Sequence, residues 1–246
     1  MGGDSSILPA NKIMNKTFFP QEHILKLWIN DEKIVTLICT DAALPELITG
    51  YLLNERVISS ADELASIRID SDHSTAQVQL RSQLVFTSAG VRASGYGGMQ
   101  VRADCAVPYK PFMHTYSLSF IQHMADVMSE MAVMYAQTGG MHCSALIGEN
   151  RILSCFEDIG RHNTLDKISG DCMLRHIDAS DCVLITSGRI SSDMIRKAGM
   201  IGASVIASYS TPTQMACSAA EKANMSVIAY LKKEPSICCG SARITS

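Results

Sequence analysis

The apolar residues of this chain change their period several times, and each change marks a predicted element. Ile24 to Ile29 ("ILKLWI") alternates apolar and polar positions, "NDE" interrupts, and Ile34 to Cys39 is apolar again. That pattern predicts a β-hairpin. In "LPELITGYLLNERVI" the residues Leu44, Leu47, Ile48, Tyr51 and Leu52 fall at i, i+3, i+4, i+7 and i+8, one face of a helix. Thr40 or Asp41 is placed to cap that helix, and Pro45 is close enough to its first turn to be tolerated. "LASIRID" and "TAQVQL" predict two further strands around a turn at Ser71 to Ser74. Residues 21–110 read as a small α+β domain, and residues 1–20 as a loose leader.

The stretch "GVRASGYGGM" is too rich in glycine to form a regular element cheaply, and "VPYKPFMHT" then supplies two prolines. The domain boundary is expected here, near residue 110. Beyond it, Leu118 to Tyr135 predicts one long helix. Its stripe of Leu118, Ile121, Ala125, Met128, Ala132 and Tyr135 borders a second apolar row, as in a helix packed on a sheet. Two apolar runs flank Gly148-Glu149-Asn150, a hairpin signal. Helix and strand then alternate. A helix starts near Asn163, a strand covers Cys182 to Thr186, and Ser191 or Ser192 caps the next helix. A strand follows at Val205 to Ser208, then a helix with Thr211 as cap and Pro212 at its first position, then a strand at Val227 to Leu231. Strands spaced by single helices predict parallel pairing and a three-layer α/β/α sandwich for residues 111–246.

Composition narrows the class. The chain has 246 residues, 47% of them hydrophobic and 18% charged, with a net charge of -3. Such a balance supports a proper core and gives no sign of nucleic-acid affinity. No apolar run has the length of a membrane span, and the first residues lack the charged-then-apolar order of a secretory signal. The nine cysteines are scattered, several inside apolar runs such as "LICT" and "DCVLI". Reduced thiols in the cytoplasm are the expectation.

The polar residues gather at one topological place. In open α/β sheets, ligands bind beyond the carboxyl ends of the strands. "EDIGRHN", "SGRISSD", "SYSTP" and "KKEP" each follow a predicted strand directly. Arg161, His162, Ser187, Arg189, Lys232 and Lys233 are therefore expected on one rim, beside helix starts near 163, 191 and 211 that aim backbone N–H groups at it. In outline that is an anion site for a nucleotide or pyrophosphate. Glu157 and Asp158 would orient the arginines or bind a ribose or base edge. A plainer reading stays open: Arg161 pairs with Glu157 or Asp158 in a structural cluster, and His162 is satisfied by backbone.

The element order of helix, hairpin and alternating helices and strands is that of the cytidine-deaminase-like fold. The zinc motifs of that chemistry, H-x-E or C-x-E with P-C-x-x-C, do not occur here, so no metal site is expected.

Three strings, "TGGMHCSAL", "FEDIGRHNTLDK" and "SGRISSDMIRKA", resemble in that order the FdhD/NarQ family of formate dehydrogenase accessory sulfurtransferases. The likeness extends from "LPELITGYLLNERVI" to "STPTQMACSAAEKANMSVIAY". It implies an accessory protein that takes sulfur as a persulfide from a cysteine desulfurase. The protein would pass it to a molybdenum cofactor carrying two pyranopterin guanine dinucleotides, ahead of insertion into formate dehydrogenase. It also implies a cytoplasmic homodimer and a second domain of cytidine-deaminase-like fold without zinc. The family's nucleotide-contacting segment falls on Tyr230, Leu231, Lys232 and Lys233. His142 and Lys197, within the strings that carry the likeness, complete the candidate set.

The chain departs from the family in the glycine loop. There the family carries Cys-x-x-Cys, and here "ASGYGG" puts Ser94 and Gly97 at the thiol positions. Neither can form a persulfide, because glycine has no side chain and a hydroxyl cannot store sulfane sulfur. Three expectations follow. Cys105, just downstream, carries the sulfur; or the vicinal Cys238-Cys239 pair does; or the protein binds the cofactor as a chaperone without carrying sulfur.

Overall fold

The computed structural model describes residues 19–81 and 106–246. The predicted hairpin is present. β1 (His23–Ile29) and β2 (Glu32–Cys39) pair antiparallel about Asn30 and Asp31, both in left-handed backbone. A helix, α1 (Leu44–Asn54), and the hairpin of β3 (Leu64–Ile69) and β4 (Thr75–Leu80) follow. β4 inserts beside β1 in parallel, giving the order β2-β1-β4-β3. The period-2 pattern does the sorting: Leu25, Leu27 and Ile29 are fully buried, whereas Ile24 is 54% exposed. They pack with Leu47, Ile48 and Leu52 of α1 into one core. Each such side chain stabilises the fold by about 1.5–3 kcal/mol.

The second unit is built on a six-stranded sheet. Its strands are β6 (His142–Gly148), β7 (Arg151–Asp158), β8 (Cys182–Thr186), β9 (Ala203–Ser208), β10 (Ser226–Ala229) and β11 (Ser236–Cys239), in the order β11-β10-β9-β8-β6-β7. A two-stranded ladder of β5 (Tyr116–Ser117) and β12 (Ile244–Thr245) stands apart from it. On one face α2 (Leu118–Met131) sets Ile121, Ala125 and Met128 against Ala145, Ile185 and Val205. On the other, α4 (Arg161–Leu174), α5 (Ser192–Ile201) and α6 (Gln214–Lys222) pack Leu165, Ile195 and Ala216 against Leu146, Leu184 and Ile206. The mixed α/β class expected from the periodicity is what the structure shows.

Four details differ from the sequence expectation. The sheet is mixed: β8, β9 and β10 are parallel, but β6 runs antiparallel to both its neighbours and β11 antiparallel to β10. The long helix breaks at Ala132, and α3 (Val133–Thr138) starts anew. The Glu157 carboxylate, arriving from β7, accepts the N–H groups of Met134 (3.0 Å) and Tyr135 (2.5 Å) and so makes a second helix start. Pro212 does not open α6. Thr213 is the cap, and Pro212 is held beside Ile190. Nor do Thr40 and Asp41 cap α1. Asp41 pairs with His73, and Thr40 is committed to the second unit.

That commitment is part of a close junction. α1 lies on α4 where both helices carry glycine, Gly50 and Gly170. Asn54 donates to Asp166 (2.7 Å) and Ser169 (2.9 Å), and Arg196 reaches the Asn54 carbonyl and Glu55. The Thr40 N–H donates to Asp158 at 3.1 Å, and Asn163 donates to the Ile38 carbonyl at 2.8 Å. Beneath these contacts sit two fully enclosed ion pairs, Lys167–Asp158 (2.6 Å) and Lys197–Asp166 (2.7 Å).

Candidate functional site

The parallel strands set the site. β8, β9 and β10 run the same way, and β7 joins them through two antiparallel steps across β6. The carboxyl ends of all four and the amino end of β6 therefore lie on one rim. The starts of α4, α5 and α6 open on it too, so three sets of backbone N–H groups face the same side.

At its centre is Gly188. A Cβ there would stand 2.9 Å from the Arg161 Cβ and 3.3 Å from the His142 Nδ1. A side chain would press on both, so glycine lets this buried turn pack closely between a guanidinium-bearing residue and an imidazole. The turn is fixed from below. Ser208 donates to the Gly188 carbonyl (2.7 Å), and the Gly188 N–H reaches the Thr186 hydroxyl (3.2 Å). Ser187 accepts from the Cys143 N–H (3.0 Å) and lies 3.4 Å from the His142 Nδ1. Next to it, Ser191 caps α5, and His162 lies 3.4 Å from the Ser191 hydroxyl and 3.8 Å from Asp193.

The rim is electropositive by construction. Arg161 is the first residue of α4, where the helix dipole is already positive. Burial, the Lys197 and Arg161 charges and His142 hold His162 down to about 4, against a partial pull from Asp193. Burial and Arg161 lower His142 as well.

The candidate residues divide by environment. His142, Arg161, His162 and Ser187 come together around Gly188, and Arg189 is exposed on the same turn. Lys232 and Tyr230 are on the rim but to one side. Lys232 donates to Ser129, lies 3.8 Å from Asp126 and stands 4.9 Å over the Tyr209 ring, so it leans on α2. Tyr230 is 43% exposed in left-handed backbone, and Lys233 is exposed. Leu231 is buried among α2 and sheet residues. Lys197 is turned to Asp166 below His162. The two acids serve the scaffold. Glu157 caps α3, while Asp158 holds Lys167, Gly160, Asn163 and Thr40. Arg161 lies beside Gly188, on the same turn that faces His142. Cys105, Ser94 and Gly97 lie outside the described residues.

Gly188 and Asp193 belong to the site although neither was singled out from the sequence, and Ser191 was expected there only as a helix cap. The signal was there: all three sit in "SGRISSD", directly after a strand. No three His, Cys, Asp or Glu side chains among the described residues form a group able to hold a metal ion.

Residues 20–245 match the model of the FdhD/NarQ family. The chain belongs to the FdhD/NarQ family. Its relatives include the sulfur carrier protein FdhD of Staphylococcus aureus strains JH9 and Newman. Each is 35% identical over 231 residues, covering 90% of this chain and 87% of theirs. The fold is similar to a crystal structure described as a formate dehydrogenase accessory protein from Desulfotalea psychrophila. The TM-score is 0.76 at 21% identity, over 92% of this chain and 90% of that one. Among the described residues, no helix of this FdhD/NarQ member is long and apolar enough to cross a membrane.

Proposed function

We propose that this protein is an accessory factor for formate dehydrogenase that binds a molybdenum cofactor by its guanine dinucleotide ends and delivers sulfur to it. The observation that carries the nucleotide part is Arg161 at the first position of α4, set close to His142 across Gly188 on the rim where three helices start. A diphosphate at this rim would meet a guanidinium and three helix starts. Arg189 on the same turn, and Tyr230 and Lys232 at the side, supply further polar and aromatic surface for a purine and ribose. Glu157, Asp158 and Lys197 support this rim from within.

The sulfur part is supported by the relatives, which are named as sulfur carriers. The donor would be a cysteine desulfurase and the recipient the cofactor before its insertion into formate dehydrogenase. On this reading the protein works in the cytoplasm as a homodimer, and its sheet with helices on both faces is a cytidine-deaminase-like sandwich put to carrier use. A second reading has one observation behind it. Ser94 and Gly97 stand at the family's thiol positions, which suits a chaperone that binds the cofactor without carrying sulfur.

Expression in a host lacking its own family member tests the accessory role. Restored formate dehydrogenase activity is expected. Activity left at background, with the protein soluble and folded, would reject it.

A further inference from the structure

Cys143 on β6 and Cys155 on β7 bring their sulfurs to 3.7 Å without a disulfide. The register explains this. Cys143 is opposite Glu157 and Ala145 is opposite Cys155, so the two thiols are diagonal neighbours on one face of the sheet. Core cysteines ordinarily rest against aliphatic groups as small hydrophobes. Here each sulfur has the other as hydrogen-bond partner.

We propose that Cys143 and Cys155 are a sulfane-sulfur-accepting dithiol, with Cys155 the thiol that takes the sulfur. The inference rests on the sulfur-handling reading above and supplies it with a thiol among the described residues.

Three features support the division of labour. The first is access. β7 is the edge strand of the sheet, and Cys155 is partly exposed, whereas Cys143 is 1% exposed. The second is polarity. The hydrogen bond between the two sulfurs holds the Cys155 thiol below its usual range, and the same bond together with burial pushes Cys143 well up. The two shifts run in the sense that favours Cys155, the more exposed thiol, as the nucleophile. The third is place. Cys143 is the residue after His142, and its N–H is held by Ser187, so the pair lies directly below the rim.

The step balances without an external oxidant. The Cys155 thiolate attacks the outer sulfur of a persulfide, R–S–SH. The new bond joins Cys155 to that sulfur, the old S–S bond breaks, and R–S⁻ leaves and is protonated by solvent. One S–S bond replaces another. Cys143, held as a thiol, donates to the nucleophile. Being protonated, it does not attack the inner sulfur, so the sulfane sulfur stays on Cys155 and is not lost as hydrogen sulfide.

The full chain is incubated with glutathione persulfide, capped with an iodoacetamide, cut with trypsin and mapped by mass spectrometry. Arg151 lies between the two cysteines, so cleavage there puts them on separate peptides. One added sulfur on the Cys155 peptide is expected, abolished in Cys155→Ser. Cys143→Ala should slow loading about tenfold, the loss of one hydrogen bond to a charged sulfur. Sulfur on Cys105 or Cys238 with none on Cys155 overturns this proposal and leaves the sulfur-carrier reading standing. Sulfur on no cysteine overturns both. Should Cys155→Ser fail to fold, the map of the unaltered chain decides alone.

Discussion

Gly50 and Gly170 meet backbone to backbone where α1 crosses α4. A Cβ on Gly50 would stand 2.7 Å from the Gly170 nitrogen, and a Cβ on Gly170 would stand 2.9 Å from the Gly50 nitrogen. Each would also overlap a helix carbonyl, that of Asp166 or of Glu46. No flexible side chain is there to give way. Either Gly→Ala change must push the helices apart and loosen the Asn54–Asp166 hydrogen bond beside them. The expected loss is about 3 kcal/mol for each, the upper part of the overpacking range. Chemical denaturation measures it. The double variant should cost less than the sum, because one separation relieves both clashes.

The Lys167–Asp158 pair makes a second prediction. Both side chains are fully buried, 2.6 Å apart, and Asp158 also holds Thr40 and Asn163. Lys167→Met leaves a carboxylate enclosed without its cation and should cost about 3–5 kcal/mol in urea denaturation. Adding Asp158→Asn removes the stranded charge and should return part of that loss. A single variant as stable as the unaltered protein would show that the pair is dispensable.

Acid should unfold this protein partly through its rim histidines. His162 is held down to about 4 in the fold, against 6.5 for the ordinary residue. Between those values the unfolded chain takes up a proton that the fold refuses. Stability is therefore full above about pH 6.5 and falls as the pH drops toward 4, with a limiting slope of about 1.4 kcal/mol per pH unit for one proton. His142 is depressed too and acts with the same sign. Burial is the chief cause, with Lys197, Arg161 and His142 adding to it and Asp193 opposing. Denaturation midpoints across this window check it, and His162→Gln should flatten the slope. An unchanged slope would place the acid sensitivity elsewhere.

Much of this was legible in the sequence because period and burial coincide. The alternation at Leu25, Leu27 and Ile29 and the helical spacing at Leu44 to Leu52 each describe a face, and each face is buried. The rim was legible for a related reason: polar strings directly after strands must lie at strand ends. The strings could not show what reaches them from far along the chain. Glu157 divides the predicted long helix from 22 residues away, and Thr40 is taken from the α1 cap by Asp158 at a separation of 118. The acids of "FEDIGRHN" read as ligand groups but are turned inward for the same reason. They satisfy backbone and lysine partners supplied by other elements. Nor could spacing alone show that Cys143 and Cys155 touch, since that depends on the register of one hairpin.

The central proposal is that the rim beside Arg161 and His142 receives the phosphates of a guanine nucleotide. Isothermal titration of the full chain with GDP tests it most directly. The account predicts saturable binding that weakens about tenfold in Arg161→Ala and in Arg189→Ala, as expected for losing a charge-assisted hydrogen bond. An absence of binding by the folded protein, or an affinity in both variants unchanged from that of the unaltered chain, would contradict it.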